Sequence, residues 1–212
     1  TAGIVYAWTN PTANPPSGGG VLYYYNGNVG IATTTPASKL TVAGTIESTT
    51  GGIKFPDGTT QASTAVLHVR DEKTLGTSGG ANIAGIQTRT LNTVVLNEIT
   101  GASLVANQIT LPAGTYEFFG RCPAIRVNKT QCGLYNITDA VYTTIGATMI
   151  TDETDFVIID SLVMGKFTIV TQKVFELRQY TQSIFAAGLG LSNIVAGLGK
   201  EVYAELFIKK IN

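Results

Sequence analysis

Few side chains in this chain of 212 residues could do chemistry. The one histidine, His68, sits in an alternating stretch, with Val66, His68 and Arg70 on one face and Leu67 and Val69 on the other. A Ser-His-Asp triad would have to use it, and no Gly-x-Ser-x-Gly turn accompanies it. His68 therefore reads as a structural or surface residue of a strand. No His/Cys grouping has zinc spacing, and no glycine pattern is of the phosphate-cradling kind. Asp152, Glu153 and Asp155 form the densest acidic group. Their hard oxygens could hold calcium, but a cluster this short reads as a solvated loop tip. The 14 carboxylates leave a glycosidase pair open by number alone, yet none stands in a recognisable setting. No catalytic residue, metal or cofactor is expected.

Recognition chemistry is better represented. Carbohydrate sites favour flat aromatic faces beside planar hydrogen-bonding groups. Most apolar residues here are committed to strand patterns, so aromatic residues near turns are scarce. Arg126, Tyr135 and Asn136 surround the turn at 127–131, and Arg178 and Tyr180 close the stretch 173–181. These five are the candidate binding residues. The competing expectation has Tyr135 packed between protomers and Arg126 paired with a carboxylate. Cys122 and Cys132, the only cysteines, fall on successive strands around a turn near Val127–Asn128. They could face each other across a hairpin, where a direct cross-strand disulfide is geometrically awkward. Asn128 and Asn136 each begin an Asn-x-Thr triplet of the N-glycosylation type.

Composition bounds the partners. Charged residues are 13% and hydrophobic residues 44%, with mean hydropathy +0.20. An average soluble domain carries about 25% charge. A chain this poor in charge fits an oligomer that hides part of each protomer's surface. Net charge is zero and no basic run exists, which argues against a nucleic-acid partner. The apolar stretch Ser183–Gly199 is shorter than the roughly 20 residues a helix needs to cross a bilayer. Its four glycines, two serines and asparagine suggest strand, turn, strand instead. No membrane insertion is expected.

The elements that must position these residues are strands. In GNVGIATTTPASKLTVAGTIESTTGGIKFPDGTTQASTA (27–65), apolar residues come singly or in alternation. Each short strand has two or three of them and then a turn residue. Such a segment buries nothing alone. It can do so if identical chains wrap together and aim Ile31, Leu40, Val42, Ile46, Ile53 and Phe55 at a shared axis, with Pro56-Asp57-Gly58 turning the chain after Phe55. From Val66 the runs lengthen: 65–71, 86–96, 103–111, 114–127, 130–138, 140–150, 156–170, 173–181, 183–191 and 201–211. These ten, with alternating patterns and no helical period, predict an all-β sandwich of two antiparallel sheets. In 202–208, Val202, Ala204, Leu206 and Ile208 form the inner face. Glu201, Tyr203, Glu205, Phe207 and Lys209 form an outer face suited to partial cover by a neighbouring subunit. Phe119, outward between Phe118 and Gly120, points the same way.

The residues also carry a resemblance. GIATTTP (30–36), SKLTV and IKFPDGTTQ (53–61) resemble the shaft-and-neck segments of trimeric bacteriophage tail fibres, whose usual form has Gly where this chain has Ala32. WTNPTANPPSGGG (8–20) resembles a low-complexity linker of fibre and bacterial surface proteins. LPAGTYEF, CPAIRVNKTQCGLYNITD, GKFTIVTQKVFELRQY and EVYAELFIKKI, in that order, resemble the C-terminal heads of phage fibres, which are jelly rolls of the tumour-necrosis-factor/C1q type. Family members often show a tyrosine before the arginine and a histidine after it; here Ile125 and Gln131 stand at those places. The family also has small residues where Cys122 and Cys132 stand, which favours two buried free thiols.

The resemblance implies a linker (1–20), an intertwined trimeric β shaft and neck (21–65) and a jelly-roll head (66–212). It implies a homotrimeric, non-enzymatic fibre tip on a virion that attaches to a host cell-surface glycan or protein. The alternative is a structural fibre or bacterial cell-surface segment whose jelly roll caps and registers the trimer. A polysaccharide depolymerase is the remaining class, and the repeat region is too short for the long β-helix such enzymes carry.

Overall fold

A computed structural model describes residues 22–49, 52–56, 58, 60–61, 64–192 and 198–211. The expected linker 1–20, Asp57 and the 193–197 part of the glycine-rich stretch lie outside them. The chain divides into two compact units, Thr1–Gln61 and Ala62–Asn212.

In the first unit, β1 (Leu22–Tyr25) and β2 (Asn28–Ile31) form a hairpin. Its two turn residues, Asn26 and Gly27, have φ of 53° and 80°. Asn-Gly is the pair that tolerates two left-handed residues in a turn matched to strand twist. β3 (Leu40–Val42) joins β2 in parallel. β4 (Ile53–Lys54) pairs antiparallel with β5 (Thr60–Gln61), and the Gly58 N–H donates to Phe55 O at 3.0 Å to close the turn. Ala32, at the place where fibre shafts have Gly, takes φ 56°, a conformation in which a Cβ is unfavourable. Of the expected axis residues, Leu40, Ile46, Ile53 and Phe55 are exposed in the single chain, and Ile31 and Val42 are half-buried.

The second unit is an antiparallel jelly-roll sandwich, all-β among the described residues. Its strands are β6 (Ala65–Thr74), β7 (Gly85–Thr88), β8 (Thr93–Asn97), β9 (Ser103–Val105), β10 (Gln108–Leu111), β11 (Gly114–Ala124), β12 (Lys129–Asn136), β13 (Val141–Ile150), β14 (Ile159–Ile169), β15 (Lys173–Thr181) and β16 (Lys200–Lys210). One sheet runs β13-β12-β15-β10-β9, with β7 also paired to β15; the other runs β14-β11-β16-β6-β8. Inward side chains of both sheets meet in one core around Leu67, Val69, Ile109, Tyr116, Phe175, Leu177 and Leu206. Each such side chain contributes about 1.5–3 kcal/mol by leaving water.

Five expectations change. The run 86–96 is two strands in different sheets, because buried Arg89 and Leu91 carry the chain across the end of the core. The run 103–111 is a hairpin turning at Ala106 and Asn107, with φ of 50° and 67°. The stretch 183–191 is not a strand. It is a tight loop held by Asn82, whose Nδ2 donates to Ser183 O (2.7 Å) and Thr181 Oγ1 (2.8 Å) and whose Oδ1 accepts from Phe185 N (2.8 Å). A Cβ on Gly188 would lie 1.9 Å from Asn82 Oδ1, so that glycine permits close packing.

Tyr203, with Glu201 beside it, is buried, not outward. A bulge between Val202 and Glu205 turns it in, and its hydroxyl donates to Thr77 O at 2.8 Å. Burial, then Glu201, raises its pKa. Beyond the bulge the expected alternation resumes, with Ala204, Leu206 and Ile208 buried and Phe207 exposed.

The last correction concerns the cysteines. They are buried but not free: Cys122 and Cys132 form a disulfide with Cα atoms 6.0 Å apart. The hairpin assumption fails because β11 and β12 belong to opposite sheets. The two side chains approach across the core, which removes the objection to a cross-strand pair.

Candidate functional site

The outer face of the sheet containing β15 carries an array set by strand register. Tyr180 lies between Ile86 and Gln131. Arg178 lies between Thr88 and Gly133, and Gly133 faces Ile145. Tyr135 lies between Glu176 and Tyr142. Side chains alternate along a strand, so Gln131, Gly133 and Tyr135 face outward while Leu134 and Asn136 face the core. Gly133 stands in the middle of the array with no side chain. A cavity of about 230 Å³ on this face is lined by Ile86, Gln131, Cys132, Gly133, Tyr142, Ile145, Arg178 and Tyr180. A Cβ on Gly133 would meet the Tyr142 ring at 2.8 Å, so the glycine sets where that ring lies.

Arg178 is held on two sides. Its guanidinium carbon lies 3.6 Å from the Tyr135 ring centroid, and its Nε donates to Glu176 Oε2 at 2.8 Å. Glu176 also accepts from Thr88 Oγ1 (2.9 Å) and Gln108 Nε2 (3.2 Å). Burial alone would push the Glu176 carboxyl up; the bonds from Arg178, Thr88 and Gln108 outweigh it and hold the pKa below its ordinary value. For Arg178, burial would lower the pKa, and Glu176 more than offsets this. Tyr135 and Tyr142 meet edge to face at 5.0 Å. Gln131 Nε2 donates to Gly146 O at 2.9 Å, which fixes the amide plane.

Of the five candidate residues, Arg178, Tyr180 and Tyr135 therefore come together, although Tyr135 supports the cavity without lining it. Arg126 and Asn136 lie elsewhere. Arg126, at φ 56°, places its guanidinium 4.9 Å from the Phe156 ring and 4.8 Å from the Phe185 ring, and its Nε donates to Glu153 O. It fastens three loops together. Asn136 is buried and bonds Asp139 through both ends of its amide. Ile86, Gln131, Tyr142 and Ile145 were not candidates. The sequence signal for them is Gly133, since a glycine inside a strand marks close approach of a neighbouring group or ligand.

Asp152 spends its carboxylate locally, on Thr154 and Asp155. Those bonds, Thr154 first, lower its pKa. Among the described residues no cluster of three or more His, Cys, Asp or Glu could hold a metal ion, and no helix is long and apolar enough to cross a membrane.

The second sheet presents a different outer face. Register aligns Met164, Phe119, Phe207, His68 and Leu96 in one row across all five strands. Met164, Phe119, Phe207 and Leu96 are each 42–57% exposed. Ion pairs border the row, Arg121 Nε to Glu205 Oε2 at 2.7 Å and Arg121 to Asp160 at 3.4 Å, and within the row His68 Nε2 lies 3.4 Å from Glu205 Oε1.

No protein-family model matches the chain, and no curated protein sequence does. Its fold is similar to several solved structures. Murine APRIL at pH 5.0 is 11% identical, with TM-score 0.47, over 70% of this chain and 99% of that one. The globular domain of zebrafish complement 1qA protein is 14% identical, with TM-score 0.43, over 71% and 98%. Eiger TNF from S. frugiperda is 7% identical, with TM-score 0.48, over 70% and 93%. Likeness this distant leaves function to be read from the chain's own surfaces.

Proposed function

We propose that this protein is a homotrimeric attachment module, the tip of a phage tail fibre, which binds a glycan receptor on the host cell surface. The observation that carries this reading is the division of labour between the two outer faces. One bears a largely apolar row, with His68 between Phe207 and Leu96, bordered by ion pairs, a composition suited to cover by another protomer. The other bears a small cavity walled by tyrosine, arginine and glutamine. The thinly apolar strands of the first unit add to the case, since their exposed Ile53 and Phe55 gain cover in a trimer. The fibre and virion assignment rests on the shaft-like wording of 30–61.

The test combines mass and adhesion. Sedimentation of the full chain at micromolar concentration is expected to give a trimer, and the labelled trimer is expected to adhere to host cells. A folded monomer would reject the reading. A trimer that adheres to no cell type tested would favour the purely structural alternative, a fibre or bacterial surface segment whose jelly roll registers the shaft.

A further inference from the structure

The cavity on the β15 face has dimensions and charge that narrow its ligand. At about 230 Å³ it lies below the roughly 300 Å³ at which pockets for drug-sized ligands begin. One six-membered sugar ring is the natural occupant of such a volume. Its walls offer aromatic faces from Tyr142 and Tyr180, against which the C–H face of a pyranose packs.

Charge decides the rest. Arg178 is the only charged residue lining the cavity. An arginine in a pocket usually marks a carboxylate or phosphate site. Here its charge is already answered by buried Glu176 at 2.8 Å, whose carboxylate is held ionised by three donors. An anion entering the cavity would meet a neutral pair, and its approach to Arg178 would bring it toward a second carboxylate. Like charges repel at a partly exposed site too, though less than in a buried one. The Arg178 Nη groups have no protein acceptor among the described residues and remain available to hydroxyls. The Gln131 amide, anchored through Nε2, keeps Oε1 as an acceptor. Neutral donors and acceptors on flat faces suit hydroxyls, not acids.

We infer that this cavity binds one neutral hexopyranose unit of a surface polysaccharide and discriminates against anionic sugars and phosphates. The inference rests on the attachment reading and deepens it. Gly133 lets the Tyr142 ring pack close over β12 and so places one wall, and Tyr180 and Arg178 make the contacts.

The experiment uses the full-length trimer and two probe sets: methyl glycosides and oligosaccharides of neutral hexoses, and sialyllactose with poly(glycerol phosphate). Saturation-transfer NMR is expected to show neutral sugars bound and acidic probes not. Tyr180→Ala and Arg178→Lys, each checked for an unchanged circular dichroism spectrum and trimer mass, should each weaken neutral binding at least tenfold. Arg178→Lys keeps the charge and removes the planar fork, so a simple charge role predicts no loss. Binding of the acidic probes, abolished by Tyr180→Ala, would overturn the inference while leaving attachment standing. Neutral binding unaltered in both variants would overturn it by placing the sugar elsewhere. A trimer that adheres to cells yet binds neither set overturns it too, and one that neither adheres nor binds overturns the attachment reading with it.

Discussion

Arg89 shows how much of this structure depends on single residues that make no contact with solvent. It is fully buried. Its Nη1 donates to Gln179 Oε1 (2.7 Å) and Pro123 O (3.1 Å), and its Nη2 to Leu189 O (3.0 Å). Burial lowers its pKa to about 10, which keeps it protonated at neutral pH. One side chain thus ties the loop after β15 to strands of both sheets. Arg89→Met leaves Gln179 Oε1 and Leu189 O without these donors, while Pro123 O keeps a bond from Gln179 Nε2. The expected cost is roughly 2–4 kcal/mol, read from the midpoint of urea unfolding. Glu176 makes a pH-dependent contribution. Its folded pKa lies below the ordinary 4.5. The stability it supplies is therefore present above that value and lost as pH falls through the folded one. The gap in stability between the parent and Glu176→Gln should be widest at neutral pH and shrink steadily below pH 4.5. A gap that stays constant down to strong acid would show that the carboxylate charge is not what Arg178 and Thr88 recognise. At this scale the sequence was partly legible. Arg178 and Tyr180 stand out in the sequence as an arginine and an aromatic at the end of 173–181, and the structure places both in the array on one outer face. Arg126 and Asn136 were placed beside Tyr135 by nearness in sequence. Their true neighbours, Phe156 and Phe185 for Arg126 and the core for Asn136, follow from strand parity and distant loops that a local reading cannot see.

Strands were more legible than their connections. Period-2 patterning located the long strands β11, β12, β13, β14, β15 and β16 to within a few residues. It misjudged the stretches where chain continuity hides a change of sheet. Residues 86–96 read as one run because Gln87, Arg89 and Leu91 keep an alternating look while the backbone crosses the core's end. The loop 183–191 read as a strand because its apolar residues, Ala187 and Leu189, are buried like strand residues. The β11–β12 connection mattered most. Taken as a hairpin, it set the two cysteines in an awkward pair; as a crossover, it sets them face to face between the sheets. Ser161 reinforces that junction, accepting from Cys132 N at 2.8 Å and donating to Ala147 O at 2.6 Å. The bridged cysteines are separated by 10 residues. Closing a loop of that length restricts the unfolded chain by about 2–3 kcal/mol. The double variant Cys122→Ser, Cys132→Ser should lose about that much. Non-reducing peptide mapping should recover the 122–132 pair from the parent. Two alkylatable thiols in the unfolded, unreduced protein would contradict the bridge.

For the whole molecule, low charge and exposed apolar residues are two views of one property. A chain with 13% charged residues cannot cover its surface with polar groups. Exposed apolar residues occur on several surfaces, and one set of them, Met164, Phe119, Phe207 and Leu96, lies in a single row with His68 across the second sheet. Burying one such phenylalanine against a neighbouring protomer contributes about 1.5–3 kcal/mol, and the row repeats in every copy. Its bordering ion pairs are satisfied within the protomer, so association need not leave Arg121 or Glu205 unpaired. Phe119 is the sharpest probe. It stands second in the row, between Met164 and Phe207 by register, and its neighbours Phe118 and Gly120 are buried. A glutamate there remains solvated in a single chain but becomes a buried, unpaired charge in an assembly, at several kcal/mol per copy. Phe119→Glu should thus leave the far-ultraviolet spectrum of the sandwich intact while shifting the full chain toward monomer in sedimentation velocity at micromolar concentration. Phe119→Leu, which keeps the apolar surface, should keep the sedimentation behaviour of the parent. If Phe119→Glu remains a trimer as tight as the parent, the head is not the seat of association, and the exposed Ile53 and Phe55 of the first unit must hold the chains together alone.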